Sequence, residues 1–220
     1  MKILNIYNYF ILFIVLYNFG SAVNASQVTF STSTLKGTIP IKTWKELRDD
    51  KITKQDLDYS CGAASVSTIL SEFYGIRVTE KEILAKMKKD FAASFLDMVQ
   101  VVKEYGFKGG SLALDFERLS ILKIPAIIYL TYRGEGHFSV LRGINKNGLV
   151  WLGDPSWGNR KFTKHQFLKM WETREDEDLK GKILLILPKD KDTTPIDRTF
   201  FNTPENNRIL FERLILRNNN

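Results

Sequence analysis

The chain has 220 residues and a formal net charge of +7, with 44% hydrophobic and 26% charged residues. Once an export signal is set aside, this length allows one good hydrophobic core, which predicts a single domain. Basic residues are interleaved with acidic ones, as in the run EKEILAKMKKD that starts at Glu80. They form no basic stripe with aromatic residues, which argues against a nucleic-acid-binding surface.

The first segment has the pattern of a secretory signal peptide. Lys2 precedes an apolar run from Tyr9 to Tyr17, and small residues follow up to Ala25. We expect cleavage after Ala25, so that residues 1–25 are the signal peptide and the mature protein is periplasmic or secreted. The alternative is an uncleaved transmembrane anchor, but the apolar run is shorter than the roughly 20 residues that span a bilayer. No membrane span is expected after cleavage.

Residues 26–188 are predicted to fold as one domain whose first half is mostly helical. After a mobile start and a short extended piece up to residue 41, helix-capping signals recur along the chain. Gly75 and Gly106 are the expected stops of the second and fourth helices. The predicted helices are 44–50 after the cap Thr43, one from about Cys61 to Gly75, one after the capping box 79–82, and one from the cap Ser94 to Gly106.

After Gly106 the sequence becomes typical of β-structure. Apolar and β-branched runs are separated by turns that contain glycine, and Asn147-Gly148 suits a hairpin turn. A short helix is expected after Thr163. The predicted strands are 124–132, 138–144, 149–152 and 182–187. A helical half that carries a cysteine, packed on an antiparallel sheet that carries a histidine, is an α+β arrangement.

Residues 189–220 are expected to be a C-terminal extension. The run KDKDTTPIDRT is typical of a linker, and Thr203-Pro204 can begin an amphipathic helix with an apolar face. We expect this helix to pack back on the domain. The alternative is a helix that docks on a partner.

Cys61 is the single cysteine, so it cannot form an internal disulfide. An exported protein that keeps one thiol in an oxidising compartment favours a catalytic role for that thiol. Its predicted position at a helix N-terminus is suitable, because a thiol attacks carbonyl groups only as the thiolate, which a helix N-terminus and an imidazolium both stabilise. The alternative is a buried cysteine that acts as a small hydrophobic residue.

Two histidines can supply the base. His137 follows Gly134-Glu135-Gly136 at the start of a predicted strand, whereas His165 lies in a polar stretch and is expected to be exposed. Asp154 ends the next predicted strand, so an antiparallel hairpin brings it to the same sheet edge as His137. An acceptor there fixes the tautomer of the base. The alternative for Asp154 is a turn-forming Asp-Pro pair.

Gln55, shortly before Cys61, is a candidate side-chain donor to an oxyanion, together with the backbone N–H of the nucleophile. The alternative is a solvated glutamine in a polar run. Metal-dependent hydrolysis is disfavoured, because one cysteine and two separated histidines form neither an HExxH nor a CxxC pattern. We expect no metal and no cofactor.

Three motifs in order resemble the C39 peptidase family, best known as the leader-cleaving domains of bacteriocin exporters. They are residues 55–65 (QDLDYSCGAAS), 136–138 (GHF) and 153–155 (GDP). The resemblance covers roughly residues 44–188 and implies a papain-like fold. It also implies a triad of Cys61, His137 and Asp154, with Gln55 in the oxyanion hole.

The motifs DYSCG, SFLDM and GDPSWGN resemble more closely the free-standing exported members of the family, some of which serve functional-amyloid secretion. Exporter domains usually have an acid immediately before the nucleophile, where this chain has Ser60, and they cleave double-glycine leaders in the cytoplasm. The resemblance implies an exported cysteine endopeptidase. Its expected partner is a polypeptide substrate, such as an amyloid or secretion-system protein.

Two other functions are compatible with these residues. One is a non-catalytic C39-like module that binds an unfolded export client in the same cleft. Retention of all four site residues counts against it. The other is acyl transfer to an amine instead of water, which the same triad supports.

Overall fold

The computed structural model describes residues 27–88, 91–190 and 194–202. The predicted signal peptide and the predicted helix after Thr203 lie outside these residues. The chain divides into two compact units, Met1–Glu46 and Leu47–Asn220. None of the helices in the described part of the chain is long and apolar enough to cross a membrane.

In the first unit, an antiparallel hairpin takes the place of the expected extended piece. Strand β1 (Gln27–Ser31) pairs with β2 (Lys36–Pro40), and the tight connection is closed by the Thr32 hydroxyl, which donates to the Leu35 carbonyl. Helix α1 (Trp44–Asp49) follows, and the Thr43 hydroxyl accepts the Glu46 N–H at its start. The predicted cap at Thr43 is therefore confirmed.

Three helices form one layer of the second unit. Helix α2 (Cys61–Thr68) continues into a π-helical turn (Ile69–Phe73), and all of α2 is buried. Helices α3 (Glu80–Met87) and α4 (Phe95–Glu104) both begin with complete capping boxes, which confirms the predicted box at Thr79 and the predicted cap at Ser94. The buried helix α2 thus lies at the centre of the layer, where it has no solvated face to give it an amphipathic pattern.

The other layer is a six-stranded antiparallel sheet in the order β3-β8-β4-β5-β6-β7. Short helices α5 (Phe116–Ser120) and α6 (Lys164–Trp171) accompany it. The strands are β3 (Phe107–Leu114), β4 (Ala126–Tyr132), β5 (Glu135–Ile144), β6 (Val150–Asp154), β7 (Gly158–Phe162) and β8 (Gly181–Pro188). The α+β class is therefore confirmed, whereas β3, β7 and α5 were not predicted.

The central strands of the sheet are buried on both faces and separate two hydrophobic clusters. Along β4, Ile127 packs into the cluster under helices α2 to α4, and its neighbour Ile128 packs into the cluster that contains Phe167 and Trp171 of α6. Because successive side chains of a strand point to opposite faces, a doubly covered strand becomes a continuous apolar run. The expected single core is thus two clusters, one on each face.

The segment 194–202 packs against the rest of the second unit. The Asp197 N–H donates to the carbonyl of Phe73, and the Asn202 N–H donates to the carbonyl of Arg142. The ring of Phe200 is fully buried in the cluster under helices α2 to α4. Part of the predicted linker is therefore a packed segment.

Candidate active site

Cys61 is the first residue of the buried helix α2 and is 5% exposed. The turn that precedes it is closed by Ser60, whose hydroxyl donates to the carbonyl of Leu57 (2.7 Å) and accepts the N–H of the same residue (3.1 Å). The unpaired N–H groups and the dipole of a helix N-terminus stabilise negative charge there. Cys61 therefore lies where a helix N-terminus faces any negative charge that forms during a reaction.

The register of the β5–β6 hairpin brings His137 and Asp154 together. Val140 pairs with Gly153, so Asp154 lies beside Ser139 and within reach of His137. His137 Nε2 is 3.0 Å from Asp154 Oδ2. The two side chains are 17% and 8% exposed, so this contact is largely shielded from water. The shared sheet edge that the sequence predicts is thus present.

Asp154 accepts hydrogen bonds on both carboxylate oxygens. Oδ2 accepts from the hydroxyl of Ser139 (2.7 Å) as well as facing His137. Oδ1 accepts the backbone N–H groups of Ser156 and Trp157, each at 2.9 Å. Burial alone would raise the pKa of this carboxyl, but the hydrogen bonds and the charge of His137 outweigh it and hold the pKa below its usual value. Asp154 is therefore a carboxylate at neutral pH.

His137 lies between two acidic groups. Burial lowers its pKa, but hydrogen bonds to Asp154 and Cys61 and their negative charges outweigh burial and raise the pKa to about 9. The imidazole is therefore positively charged at neutral pH. A histidine that is hydrogen-bonded to an aspartate and lies beside a cysteine is arranged for nucleophilic attack on a carbonyl carbon.

Gln55 is half-buried and is held in place by two loops. Its Oε1 accepts the hydroxyl of Ser156 (2.7 Å), while its Nε2 donates to the carbonyls of Leu57 (2.9 Å) and Asp58 (3.3 Å). This side chain therefore joins the turn before Cys61 to the turn after Asp154. It is not the solvated surface glutamine that was the alternative.

Further hydrogen bonds fix the segment around Gln55. The Thr53 N–H donates to the hydroxyl of Thr68 in helix α2 (3.0 Å), and Lys54 Nζ donates to the carbonyl of Ser156 (2.6 Å). The segment is thus tied both to the helix that carries Cys61 and to the turn that follows Asp154. Relative displacement of these groups would break several hydrogen bonds.

Three residues of the site were missed by the sequence analysis. Ser139 lies two positions after His137 on β5, and the two-residue period of a strand places both on one face, so this signal was available. Ser156 and Trp157 directly follow Asp154-Pro155, where the N–H groups of an Asx turn are expected. His165 is exposed, as predicted.

A cleft of about 560 Å³ opens beside the site. His137, Asp154 and Gln55 are part of its wall, and the rest combines apolar and aromatic residues with polar and charged ones. In the ranges that the structure describes, no group of three or more histidine, cysteine or acidic residues could hold a metal ion. The apolar and aromatic residues of the wall are Leu130, Tyr132, Leu152, Trp157, Phe162 and Met170.

Comparison with known proteins defines the class. Residues 49–174 match the model of the peptidase C39 family. This range covers more than half of the chain and contains all four predicted site residues. The chain belongs to the peptidase C39 family.

Two curated relatives are named "Probable functional amyloid protease FapD". The one from Pseudomonas aeruginosa is 31% identical over 139 residues, which cover 60% of this chain and 61% of the relative. The one from Pseudomonas fluorescens is 30% identical over 139 residues, with the same coverage. The match therefore spans about 61% of the length of these relatives.

Solved structures of peptidase domains share the fold. The peptidase domain of Streptococcus ComA, a bifunctional ABC transporter, superposes with a TM-score of 0.52 at 20% identity and covers 62% of this chain and 97% of that domain. A double-glycine-motif protease from an AMS/PCAT transporter, crystallised with the leader peptide, gives a TM-score of 0.51 at 22% identity, with 62% and 90% covered. The papain-like α+β fold that the resemblance implies is therefore confirmed.

Proposed function

We propose that this chain is an exported cysteine endopeptidase in which Cys61 is the nucleophile, His137 the general acid and base, and Asp154 the residue that orients His137. The observation that carries the proposal is the hydrogen bond between Asp154 and His137, beside a cysteine at a helix N-terminus. All three residues lie within the range that matches the peptidase C39 family. Gln55 contributes to the oxyanion hole.

The first half of the reaction forms a thioester. The Cys61 thiolate attacks the peptide carbonyl carbon, a C–S bond forms, and the negative charge moves to the carbonyl oxygen. The N–H of Cys61 and the amide of Gln55 donate hydrogen bonds to this oxyanion. Since Nε2 of His137 is engaged by Asp154, Nδ1 gives its proton to the leaving amine as the C–N bond breaks.

The second half releases the acyl group. His137 takes a proton from water, the hydroxide attacks the thioester carbon, and the C–S bond breaks to restore the thiolate and the imidazolium.

Gln55 Nε2 makes two hydrogen bonds, and the bond to the Asp58 carbonyl, at 3.3 Å, is the longer one. The N–H that makes this bond is the one that turns to the oxyanion, because breaking the longer bond costs less.

We infer that the substrate is a polypeptide handled by an export system, such as an amyloid or secretion-system protein. This inference is supported by relatives named for a functional amyloid protease and by a similar fold crystallised with a leader peptide. The proposed organisation is a signal peptide (1–25), a peptidase domain (26–188) and a C-terminal extension (189–220). The proposed location is the periplasm.

Thiol reactivity tests the proposal without a known substrate. A free cysteine is only a few per cent thiolate at pH 7, whereas a thiolate–imidazolium pair is alkylated well below pH 8. His137→Ala should therefore slow the alkylation of Cys61 by iodoacetamide at pH 7 by about tenfold or more. The rate is followed by mass spectrometry from pH 5 to 10. His165→Ala, which removes the exposed histidine, is the matched control and should react like the wild type.

Hydrolysis of N-acetylglycine p-nitrophenyl ester supplies the second readout. Cys61→Ala should abolish turnover. Gln55→Ala should lower kcat by about 10²–10³-fold, the usual effect of losing one oxyanion donor, yet keep the alkylation rate, because alkylation forms no oxyanion. Equal alkylation of the His137→Ala and His165→Ala variants, with no ester turnover above Cys61→Ala, would contradict the proposal. That outcome would favour the module that binds an export client without cleaving it.

A further inference from the structure

The cleft beside the site lies on its histidine side. Its wall contains His137, Asp154 and Gln55, whereas Cys61 is not part of the wall. It extends from the hydrogen bond between His137 and Asp154 toward the hydrophobic cluster on the α6 face of the sheet. A substrate that reaches His137 therefore meets this cleft.

The floor of the cleft is apolar. Leu130 of β4 and Leu152 of β6, which are 3% and 1% exposed, lie on the two strands that flank β5. Phe162 and Met170 are half-buried and also line the cleft. Trp157 forms a wall and is 59% exposed, although it is a large aromatic residue three positions after Asp154. A concave surface that combines an apolar floor with polar groups is typical of a ligand pocket.

The rim contains both signs of charge. Arg133 and Arg160 are basic, and Asp58 and Glu135 are acidic. The guanidinium of Arg160 lies 4.9 Å from the centre of the Phe162 ring, so it covers part of the aromatic surface. Two basic and two acidic residues leave the rim without a net charge. We therefore assign selectivity to the apolar floor and wall.

The chemistry determines which part of a substrate lies over the cleft. The acyl part stays bonded to Cys61, whereas the leaving amine must come close enough to His137 to take its proton. The chain that leaves therefore runs along the histidine side. We propose that the cleft is the binding site for a large apolar side chain of the residue that follows the cleaved bond, with Trp157 as the main determinant of this specificity. This inference rests on the proposed peptidase function.

Amine trapping of the thioester tests the inference without a natural substrate. N-acetylglycine p-nitrophenyl ester acylates Cys61 and releases p-nitrophenolate. An added amino acid amide then competes with water: its nitrogen attacks the thioester carbon, the C–S bond breaks, and its proton passes to His137, which leaves a new amide and the thiolate. The trapping amine occupies the same place as a leaving amine, because the two steps are the reverse of each other.

We expect leucinamide to trap the thioester at least about tenfold more efficiently than glycinamide, which is the low end of the discrimination that apolar pockets achieve. Liquid chromatography gives the ratio of amide product to N-acetylglycine for each amine. Glycinamide is the less hindered nucleophile, so intrinsic reactivity opposes the expected preference. Each ratio is internal to one enzyme preparation and does not depend on the active fraction.

Trp157→Ala should lower this preference to about twofold or less, since it removes the wall but keeps the backbone N–H that Asp154 accepts. Ile121→Ala is the matched control, because Ile121 is 69% exposed and does not line the cleft. It should keep the full preference.

The outcomes separate the two proposals. If the wild type releases no more p-nitrophenolate than Cys61→Ala, the peptidase function itself is wrong. If release occurs but leucinamide and glycinamide trap the thioester equally well, the peptidase function stands and the apolar site is wrong. A preference that survives in Trp157→Ala overturns the proposal that Trp157 is the main determinant of specificity.

Discussion

Asp154 accepts hydrogen bonds from four groups, two on each carboxylate oxygen. An asparagine has one oxygen and one NH₂ group, so it could serve only one of these pairs. If its oxygen faced His137, its NH₂ group would face the backbone N–H groups of Ser156 and Trp157, and two donors would oppose each other. The turn after β6 therefore requires an aspartate at this position.

The substitution Asp154→Asn should lower the pKa of His137. Asp154 helps to raise this pKa to about 9 through a hydrogen bond and its negative charge, so removal of the charge moves the midpoint downward. At a pH above the His137 midpoints of both the wild type and the variant, a pKa that is lower by about one leaves about tenfold less imidazolium. NMR titration of the imidazole signals measures the His137 midpoint in each protein. The protein has only two histidines, so the signal that disappears in His165→Ala belongs to His165.

The same change in pKa predicts how stability depends on pH. The pKa of His137 is higher in the folded protein than the usual 6.5, so its contribution to stability is full below about pH 6.5 and is lost as the pH rises through about 9. The difference in Tm between the wild type and Asp154→Asn should therefore be largest below pH 6.5 and narrow toward pH 9. A midpoint for His137 that is unchanged in the variant would refute this account of the site.

At the scale of the elements, helix α2 depends on a close approach directly after Cys61. A Cβ atom on Gly62 would lie 2.5 Å from Cε of Met98 in helix α4 and 3.5 Å from Cβ of Ala93. This glycine allows α4 to pack against the start of the cysteine helix. Since Met98 is fully buried, its side chain has little room to move away.

Gly62→Ala should therefore lower the free energy of unfolding by about 1–3 kcal/mol, as overpacking usually does. Gly110→Ala is the matched control, because a Cβ there would meet nothing within 4 Å. Combining Gly62→Ala with Met98→Ala should cost less than the sum of the two single changes, since the alanine at 62 partly fills the space that Met98 leaves. Urea unfolding measures all four variants. Strict additivity, or a harmless Gly62→Ala, would contradict this packing.

The elements that the sequence predicts are those whose signals are local. The capping boxes at Thr79 and Ser94 need residues three positions apart, and the strand β5 is an apolar run. The edge strands β3 and β7 were missed because Gly109-Gly110 interrupts one and the other has the polar sequence GNRKF. An edge strand is defined by its pairing with a neighbouring strand, and a local sequence pattern contains no information about that pairing.

The same distinction applies to the candidate site. One predicted hairpin was enough to place His137 beside Asp154, whereas the triad with Cys61 was implied by the family resemblance. Gln55 remained ambiguous, because its environment depends on Ser156, which comes 101 residues later. The cleft could not be predicted either, since its wall combines residues from several strands, a helix and two turns.

At the scale of the whole molecule, the folded unit extends beyond the range that matches the family. That range ends at residue 174, yet β8 (Gly181–Pro188) lies between β3 and β4 in the sheet. The segment 194–202 then contributes Phe200 to the cluster under the cysteine helix. Family membership therefore identifies the site, but the supporting structure includes the residues that follow.

Arg142 connects this segment to the sheet. Its guanidinium is stacked between the rings of Trp151 and Phe200, with its carbon 4.3 Å and 4.6 Å from the ring centres. It also donates to Asn159 Oδ1 (2.6 Å) and to the carbonyl of Asp50 (3.1 Å). Burial lowers the pKa of Arg142 to about 10, so it remains charged at neutral pH. One buried cation thus links β5, β7, the chain after α1 and the C-terminal segment.

If the segment 194–202 is part of the cooperative unit, Phe200→Ala should lower the free energy of unfolding by about 3–5 kcal/mol, the usual cost of truncating a fully buried phenylalanine. The loss includes packing against Phe73 and one side of the Arg142 stack. Ile196→Ala, in the same segment but 44% exposed, is the matched control and should cost about 0.5 kcal/mol or less. Urea unfolding followed by tryptophan fluorescence gives both values.

Equal costs for the two variants would mean that the segment detaches before the domain unfolds. A large cost for Phe200→Ala alone, with one transition, would mean that the C-terminal segment and the cysteine helix unfold together.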